Sequence, residues 1–491
     1  MMSNLVSNVV SKKTDTVRTE IAVLGSGPGG SITAAVLAEA GWDVLLVEEG
    51  SSLPFDPSLA FTQSEMVNKY RSGGVTAAMG PTNVAYVEGK CVGGGSEINS
   101  GLYHRTPPEV LQRWRHDYKL AGVNELDAHF AACEQDLSVS YLPGQATPAS
   151  LMLRDGASQL GWDAIEVPRW HKYPAAGRTG EDSNRGRQTM STAILPRFFD
   201  ARGRLLPNTR ARRLQRRDPG WTVQTIQQSP DGPQPLEIHA DQVFIACGAI
   251  QTPLLLRRSG ITRNVGNQLQ MHPTVKVAAV FGQQVNRPGM GVPVHQVKQF
   301  APRFSFGGSV STPPHLALAM VDHPQAAPEV VRNWQHAAVY YAMITGSGSG
   351  SVRPIPGFDD PLVRYRLVQE DYRDLAAGLR QLCRLLLAAG AEALYCGIKG
   401  AGVIHSEADL ASLPAVLTPQ QANLMTIHLF SSCPMGQDKT KCAVDSFGKV
   451  HGADGLYVAD ASLLCTAPGV NPQGSLMAIA RRNAIHFNEV H

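Results

Sequence analysis

Hydrophobic residues first cluster at Ile21-Ala22-Val23-Leu24, an unbroken run of strand length. A run without polar alternation belongs to a strand covered on both faces. Gly25 interrupts it. From Ser31 to about Glu39 the pattern becomes alanine-rich and helical, and Gly41 is the stop signal. Trp42 to Val47 is apolar again and ends on Glu48 and Glu49. The order predicts a strand–turn–helix–strand unit.

Further along, Pro107 to about Leu137 is expected to be helical, with Trp114 and Phe130 as packing residues, and Leu151 to Leu160 is a short helix. Trp221 to Ile226 alternates like a half-buried strand. Pro230 to Pro233 is a turn before a strand at Leu236 to His239. Gln242 to Ala246 is a third buried parallel-strand candidate. From about Val265 to Leu424 the pattern changes. Val275 to Phe281 and Ala337 to Ile344 are expected strands. Asp371 to Ala389 is an amphipathic helix with Leu375, Leu379, Leu382, Leu385 and Leu386 on one face, closed by Gly390. Ser51 to Pro81 is polar and irregular, either a loop over a ligand or an interface segment.

Composition narrows the class. With 491 residues, 43% hydrophobic and 17% charged, the chain has material for a large core and about three domains, or two large ones. The net charge of +3 includes no long basic run. Arg210, Arg212, Arg213, Arg216 and Arg217 cluster without interleaved aromatics, which suggests a solvated loop face and not a nucleic-acid surface. None of the eight cysteines forms a C-x-x-C pair, so no metal site, redox dithiol or disulfide framework is expected. Cys247 and Cys383 are expected to be buried small hydrophobes. The first twenty residues lack the apolar core of a signal peptide, and no run approaches the ~20 apolar residues of a membrane span. The expectation is a soluble cytoplasmic enzyme with a flexible tail at residues 1–17 and no integral membrane segment.

The candidate chemistry begins in the first turn. Gly25, Gly27 and Gly30 stand at G-x-G-x-x-G spacing between strand and helix, and Glu48 follows 23 residues after Gly25. Such glycines let a backbone approach a pyrophosphate at a helix N-terminus, while the acid accepts from a ribose hydroxyl. The motif suits NAD or FAD alike. A second cluster, Gly89-Lys90-Cys91-Val92-Gly93-Gly94-Gly95-Ser96-Glu97-Ile98-Asn99, again brings backbone N–H groups near a bulky ligand.

Together these segments resemble the glucose-methanol-choline (GMC) family of flavin oxidoreductases. Gly89 to Asn99 is similar to the family's G-K-x-x-G-G-x-S-x-x-N. Gly248-Ala249-Ile250-Gln251-Thr252-Pro253 and Ser259-Gly260-Ile261 are similar to its second signature, with Thr262 where the family has Gly. His428 to Gly436 resembles H-P-x-G-T-x-x-M-G without its Pro and Thr, and Gly455 to Ser462 resembles G-L-x-V-x-D-x-S. The resemblance implies an α/β (overall α+β) fold. A Rossmann-like FAD-binding domain with a parallel sheet would comprise 18–160, 187–265 and 440–491. A substrate domain with a mixed or antiparallel sheet backed by helices would comprise 161–186 and 266–439. It implies FAD contacts at Gly94, Gly95, Asn99, Asp460, Ala461, Asn471, Pro472 and Gln473, beside Gly25, Gly27, Gly30 and Glu48. Some members attach FAD through a His immediately before the Asn. Ile98 stands there, so non-covalent FAD is expected.

The resemblance makes His428 and Asn471 the catalytic pair. His428 takes the hydroxyl proton of a small-molecule alcohol, hydride passes to flavin N5, and Asn471 orients the same oxygen. His104, His272 and His336 stay at structural or substrate-contact roles. The implied substrates are a primary hydroxyl on a sugar or aminoglycoside, or a long-chain or aryl alcohol. The electron acceptor is oxygen or another oxidant. A lyase of the same family and a non-catalytic flavin-binding protein are the alternatives. A pyridine-nucleotide flavin reductase would need a second G-x-G-x-x-G, which is absent.

Overall fold

The computed structural model describes residues 15–53, 56, 62–173 and 186–491. The first of its two large sheets has seven strands. At its centre Asp15–Leu24 pairs in parallel with Val44–Val47 on one side and Gly232–Ile245 on the other. Arg204–Leu206 and Leu456–Val458 extend the parallel set. Helix Pro28–Glu39 packs on this sheet and is itself covered by the C-terminal helix Gln473–Val490. Gly29 through Ala38 are therefore all buried, which explains why the helix shows no polar stripe.

Three local expectations change here. The first strand begins at Asp15, so the end of the expected 1–17 tail belongs to the sheet. The remainder of that tail lies outside the described residues. Leu236 to His239 and Gln242 to Ala246 are not separate strands; Leu236 to Ile245 runs unbroken within Gly232–Ile245. Its length follows from having different partners along one edge. Trp221–Ser229 pairs antiparallel with its first half, and Leu456–Val458 pairs in parallel with Val243 to Ile245. The arginine cluster lies largely on strand Thr209–Arg216, not on a loop.

The second sheet has nine strands. Thr76–Ala78, Val84–Tyr86, Leu424–Thr426, Thr274–Phe281, Ala337–Ile344, Phe304–Gly308, His295–Val297 and Ala164–Glu166 follow one another across it. Ala391–Cys396 also pairs with Thr274–Phe281. Its ladders are antiparallel except between Leu424–Thr426 and Val84–Tyr86. Membership departs from the expected division. Thr76–Ala78 and Val84–Tyr86 come from the segment assigned to the nucleotide-binding part, yet they belong to this sheet. Helix Pro148–Gln159 likewise packs against Gln369–Ala388. Phe430, Cys433 and Met435 join the first sheet's core, ahead of the expected return at 440. Within the expected irregular segment 51–81, the described residues 62–81 include regular structure: Thr62 caps a helix at Gln63–Lys69 by accepting from the Glu65 N–H.

Side-chain alternation divides the labour of this sheet. On Thr274–Phe281, Val275, Val277, Ala279 and Phe281 face the core under helix Gln369–Ala388. On the other face, Ala278 and Val280 pack beneath the helices Pro313–Ala319 and Ala327–Arg332. Thr274 and Lys276, of the same parity, border a cavity instead. The neighbouring Ala337–Ile344 repeats the pattern, with Tyr341 and Met343 on the cavity and opposite Lys276 and Thr274 in register.

Leu382 is fully buried on the helix that holds the second sheet. Leu382→Ala is expected to lower stability by about 2–5 kcal/mol, the cost of a core leucine cavity, seen as a shift in the denaturant midpoint. An unchanged midpoint would mean that the helix does not anchor the sheet.

Candidate active site

The parallel strands end together. Leu24, Ile245 and Val458 lead into Gly25, Cys247 and Asp460, all on the wall of a cavity of about 910 Å³. Ligands of open α/β sheets sit at such carboxyl ends. The turn is tightly made. Gly25 has φ +105°, and a Cβ there would meet the Ala246 carbonyl oxygen at 2.2 Å. A Cβ on Gly30 would stand 1.9 Å from the Gly25 oxygen, so Gly30 serves packing and does not itself border the cavity. Gly27 and Gly95 differ: both border the cavity with no atom within 4 Å of where a Cβ would stand. Helix Pro28–Glu39 has no side-chain cap, which leaves first-turn N–H groups for an anion. The second glycine cluster closes on the first, because a Cβ on Gly94 would meet Gly27 Cα at 2.7 Å.

Glu48 lies on this wall. Its carboxylate accepts from the Ser26 N–H (2.9 Å) and hydroxyl (2.7 Å) and from the Gly50 N–H (2.8 Å), while burial pushes its pKa up. Asp460 accepts from the Gly248 N–H (2.9 Å), the Ser462 N–H (2.8 Å) and the Thr252 hydroxyl, tying the two strand ends together. Asn99 donates to Gln473 Oε1 at 2.5 Å, which joins the second glycine cluster to the start of helix Gln473–Val490. Ala461, Asn471, Pro472 and Gln473 all border the cavity, as does Ile98.

His428 and Asn471 meet at the other end, where the His428 Nε2 and Asn471 Nδ2 atoms are 3.3 Å apart. A short antiparallel pair brings in a third residue. Gln270 stands opposite Phe430 and Met271 opposite Leu429, so the next position sets His272 beside His428. Their Nδ1 atoms are 3.0 Å apart. The Gly469 N–H donates to His272 Nε2 at 3.1 Å. Neutral His272 then carries its proton on Nδ1 and donates it to His428 Nδ1, leaving the His428 proton on Nε2, facing Asn471. A half-turn of the Asn471 amide presents its oxygen to that proton. A matching turn of Gln296 uses its buried Oε1, which otherwise lacks a partner among the described residues. Burial, with the Lys298 charge adding to it, pushes His428 down to about 3 and His272 well below its ordinary value, so both rings are neutral at pH 7.

Several residues near the site were not singled out from sequence. His272 was held at a structural or contact role, and so was His104, which burial pushes down to about 3 beside Asn471. The Gln296 amide lies 3.3 Å from the Tyr341 hydroxyl and 3.4 Å from the Asn471 amide. Lys276 borders the cavity. The available signal was a lysine in the otherwise apolar run Val275 to Phe281. Arg210 also lines the cavity, 3.5 Å from Glu49, while Arg71 pairs with Glu49 at 2.7 Å. Cys383 is buried as expected, but Cys247 is only partly so, because it borders the cavity. His336 is remote from the pair, contacting the Phe281 carbonyl.

The GMC oxidoreductase family profiles, N-terminal and C-terminal, match residues 66–274 and 356–480. An uncharacterized GMC-type oxidoreductase of Sinorhizobium fredii is 37% identical over 469 residues, covering 94% of this chain and 93% of the relative. The chain belongs to the GMC oxidoreductase family. A long-chain-alcohol oxidase of Arabidopsis thaliana is 26% identical, covering 94% of this chain and 68% of that protein. Among solved structures, pyridoxine 4-oxidase from Mesorbium loti is similar in fold, with a TM-score of 0.73 at 20% identity, covering 98% of this chain and all of that one. GMC oxidoreductases are FAD-dependent, and the open faces of Gly27 and Gly95 fit such a group. No helix among the described residues is long and apolar enough to cross a membrane.

Gly27→Ala and Gly30→Ala are expected to fail differently. The first projects a methyl into the cavity, so the protein keeps its thermal transition but purifies with less flavin, read at the ~450 nm band. The second has no room against Gly25, so the thermal transition itself drops. Equal flavin content in wild type and Gly27→Ala would remove this face from cofactor binding.

Proposed function

We propose that this GMC oxidoreductase oxidises an alcohol to an aldehyde or ketone. His428 takes the hydroxyl proton, and Asn471 holds the same oxygen. The observation that carries this reading is the contact of those two side chains on the wall of a cavity whose other end is built by the two glycine turns. Bound FAD supplies the hydride acceptor. Gly25, Gly27, Glu48, Gly94, Gly95, Asn99, Asp460, Ala461, Pro472 and Gln473 would hold it, with Gly30 supporting the turn. The uncapped start of helix Gln473–Val490 would favour negative charge beside it.

His428 must change tautomer to act as a base. In the resting pair Nε2 carries hydrogen and suits an oxygen acceptor. To accept a proton there, His428 donates from Nδ1 to His272, whose own proton then moves to Nε2 against the Gly469 N–H. His272 thus sets how readily His428 passes from donor to acceptor. The depressed pKa keeps His428 uncharged well below neutrality, so an available lone pair does not depend on high pH.

His428→Ala is expected to retain flavin while flavin bleaching by alcohol slows by about 10²–10⁴-fold, the usual share of a general base. In wild type the reduction rate should hold level as pH falls from 8 to 5, instead of falling through the ordinary histidine value of 6.5. Unchanged bleaching in the variant would take His428 out of the chemistry. Binding without a covalent link, supported by Ile98, predicts that acid precipitation releases all the flavin into the supernatant. Yellow precipitate would overturn it.

A further inference from the structure

The catalytic end of the cavity carries positive charge and no carboxylate. The carboxylates on the wall, among the described residues, are Glu48, Glu49, Glu88 and Asp460, all at the dinucleotide end. Each has partners there already: Glu48 the Ser26 and Gly50 N–H groups, Glu49 and Glu88 the Arg71 guanidinium, Asp460 the Gly248 N–H. Lys276 is partly buried on the cavity wall opposite Tyr341, and no ion pair joins it to a described residue. His315, across the cavity wall, is pushed down to about 4 by its own burial and by the Lys276 charge. A second ammonium, Lys298, has the Ser305 hydroxyl at 3.5 Å and lies close enough to push down both His428 and His104. Burial lowers both lysines to about 8, so both remain mainly protonated at pH 7. An uncompensated ammonium at the rim of an apolar cavity is costly unless an anion arrives with the ligand.

We propose that the alcohol oxidised here carries an anionic group, a carboxylate or phosphate, that seats on Lys276 while its hydroxyl lies between His428 and Asn471. The inference rests on the alcohol oxidation proposed above. Lys276 follows His272 by four residues, roughly 13 Å of extended chain. The two groups of the substrate are therefore separated by a spacer. Leu318 and Val321, exposed apolar residues on the cavity wall, favour an apolar one. The charge pattern argues against the aminoglycoside expected from sequence, since a polycationic sugar would meet the Lys276 ammonium with the Lys298 charge close behind the wall. It also argues against an uncharged long-chain alcohol, which would leave Lys276 unpaired.

The test uses FAD-loaded protein and two readouts. The first is anaerobic flavin bleaching by 4-(hydroxymethyl)benzoate, its neutral methyl ester and 4-(hydroxymethyl)phenyl phosphate. The second is titration with 4-methylbenzoate and phenyl phosphate, which have no alcohol to oxidise, followed by the shift of the oxidised flavin spectrum. The carboxylate or phosphate probe should act at concentrations roughly tenfold or more below the ester, the order expected of one charge-assisted hydrogen bond. Lys276→Met should erase that gap by weakening the anion alone, leaving its limiting rate and the ester unchanged. Lys276→Arg should restore part of it. The better anion identifies carboxylate or phosphate. Equal action of acid and ester, or equal slowing of both by Lys276→Met, would overturn the proposal. Anions that bind through Lys276 while no alcohol bleaches the flavin would sustain the anion site and defeat the oxidation. Anions that neither bind nor bleach would defeat the site.

Discussion

The contact on which the rest depends is the approach of backbone to backbone at the carboxyl ends of the parallel strands. Gly25 and Gly30 touch with no room for a side-chain carbon, Gly25 lies equally close to Ala246, and Gly29 packs against the Ala459 carbonyl. Helix Pro28–Glu39 can therefore settle onto three strand ends at once, with its uncapped amides directed at the cavity. The second glycine cluster docks on this platform through Gly94 and Gly27, and Asp460 draws the last strand and helix Gly248–Arg258 to it. A cofactor site of this kind is a consequence of packing: once the glycines permit the approach, the donors are already in place.

The reacting end depends on register. The two-stranded pair Gln270–Met271 with Leu429–Phe430 bridges the nucleotide-binding core and the second sheet, and one further step of the same register sets His272 against His428. Burial keeps both rings neutral, and the Gly469 amide dictates which nitrogen of each is protonated. The direction of that hydrogen-bond chain decides whether His428 presents a proton or a lone pair. The loop that carries Gly469 also carries Asn471, so one short segment holds both the amide that orients the histidine pair and the side chain that meets His428.

Local patterns made much of this legible. The run Ile21 to Leu24, the spacing of Gly25, Gly27 and Gly30, and the stripe of leucines from Leu375 to Leu386 each reflect a constraint acting within a few residues. The parts that were hidden depend on distant partners. Gly232–Ile245 looked like two strands because its halves have different neighbours. Thr76–Ala78 carries no local sign of the second sheet, because its hairpin partner Val84–Tyr86 joins that sheet only through Leu424–Thr426, far along the chain. His272 carries no local signal of its role, because its meaning lies in what stands across from it. Arg210 has the local pattern of a solvated residue because the acids that hold it, Glu49 and Asp360, come from far along the sequence.

The alternation along Thr274–Phe281 and Ala337–Ile344 limits where this wall can change. One parity of residues, from Val275 to Phe281, makes the core beneath a long helix, and the other splits between helix packing and the cavity. Position 276 can thus exchange its side chain without opening a void in the core, whereas Thr274 is held to the His272 carbonyl and Tyr341 to Gln296. Among the wall positions on these two strands, 276 alone carries a charge, so its gain or loss is the largest change this wall can undergo without repacking the core.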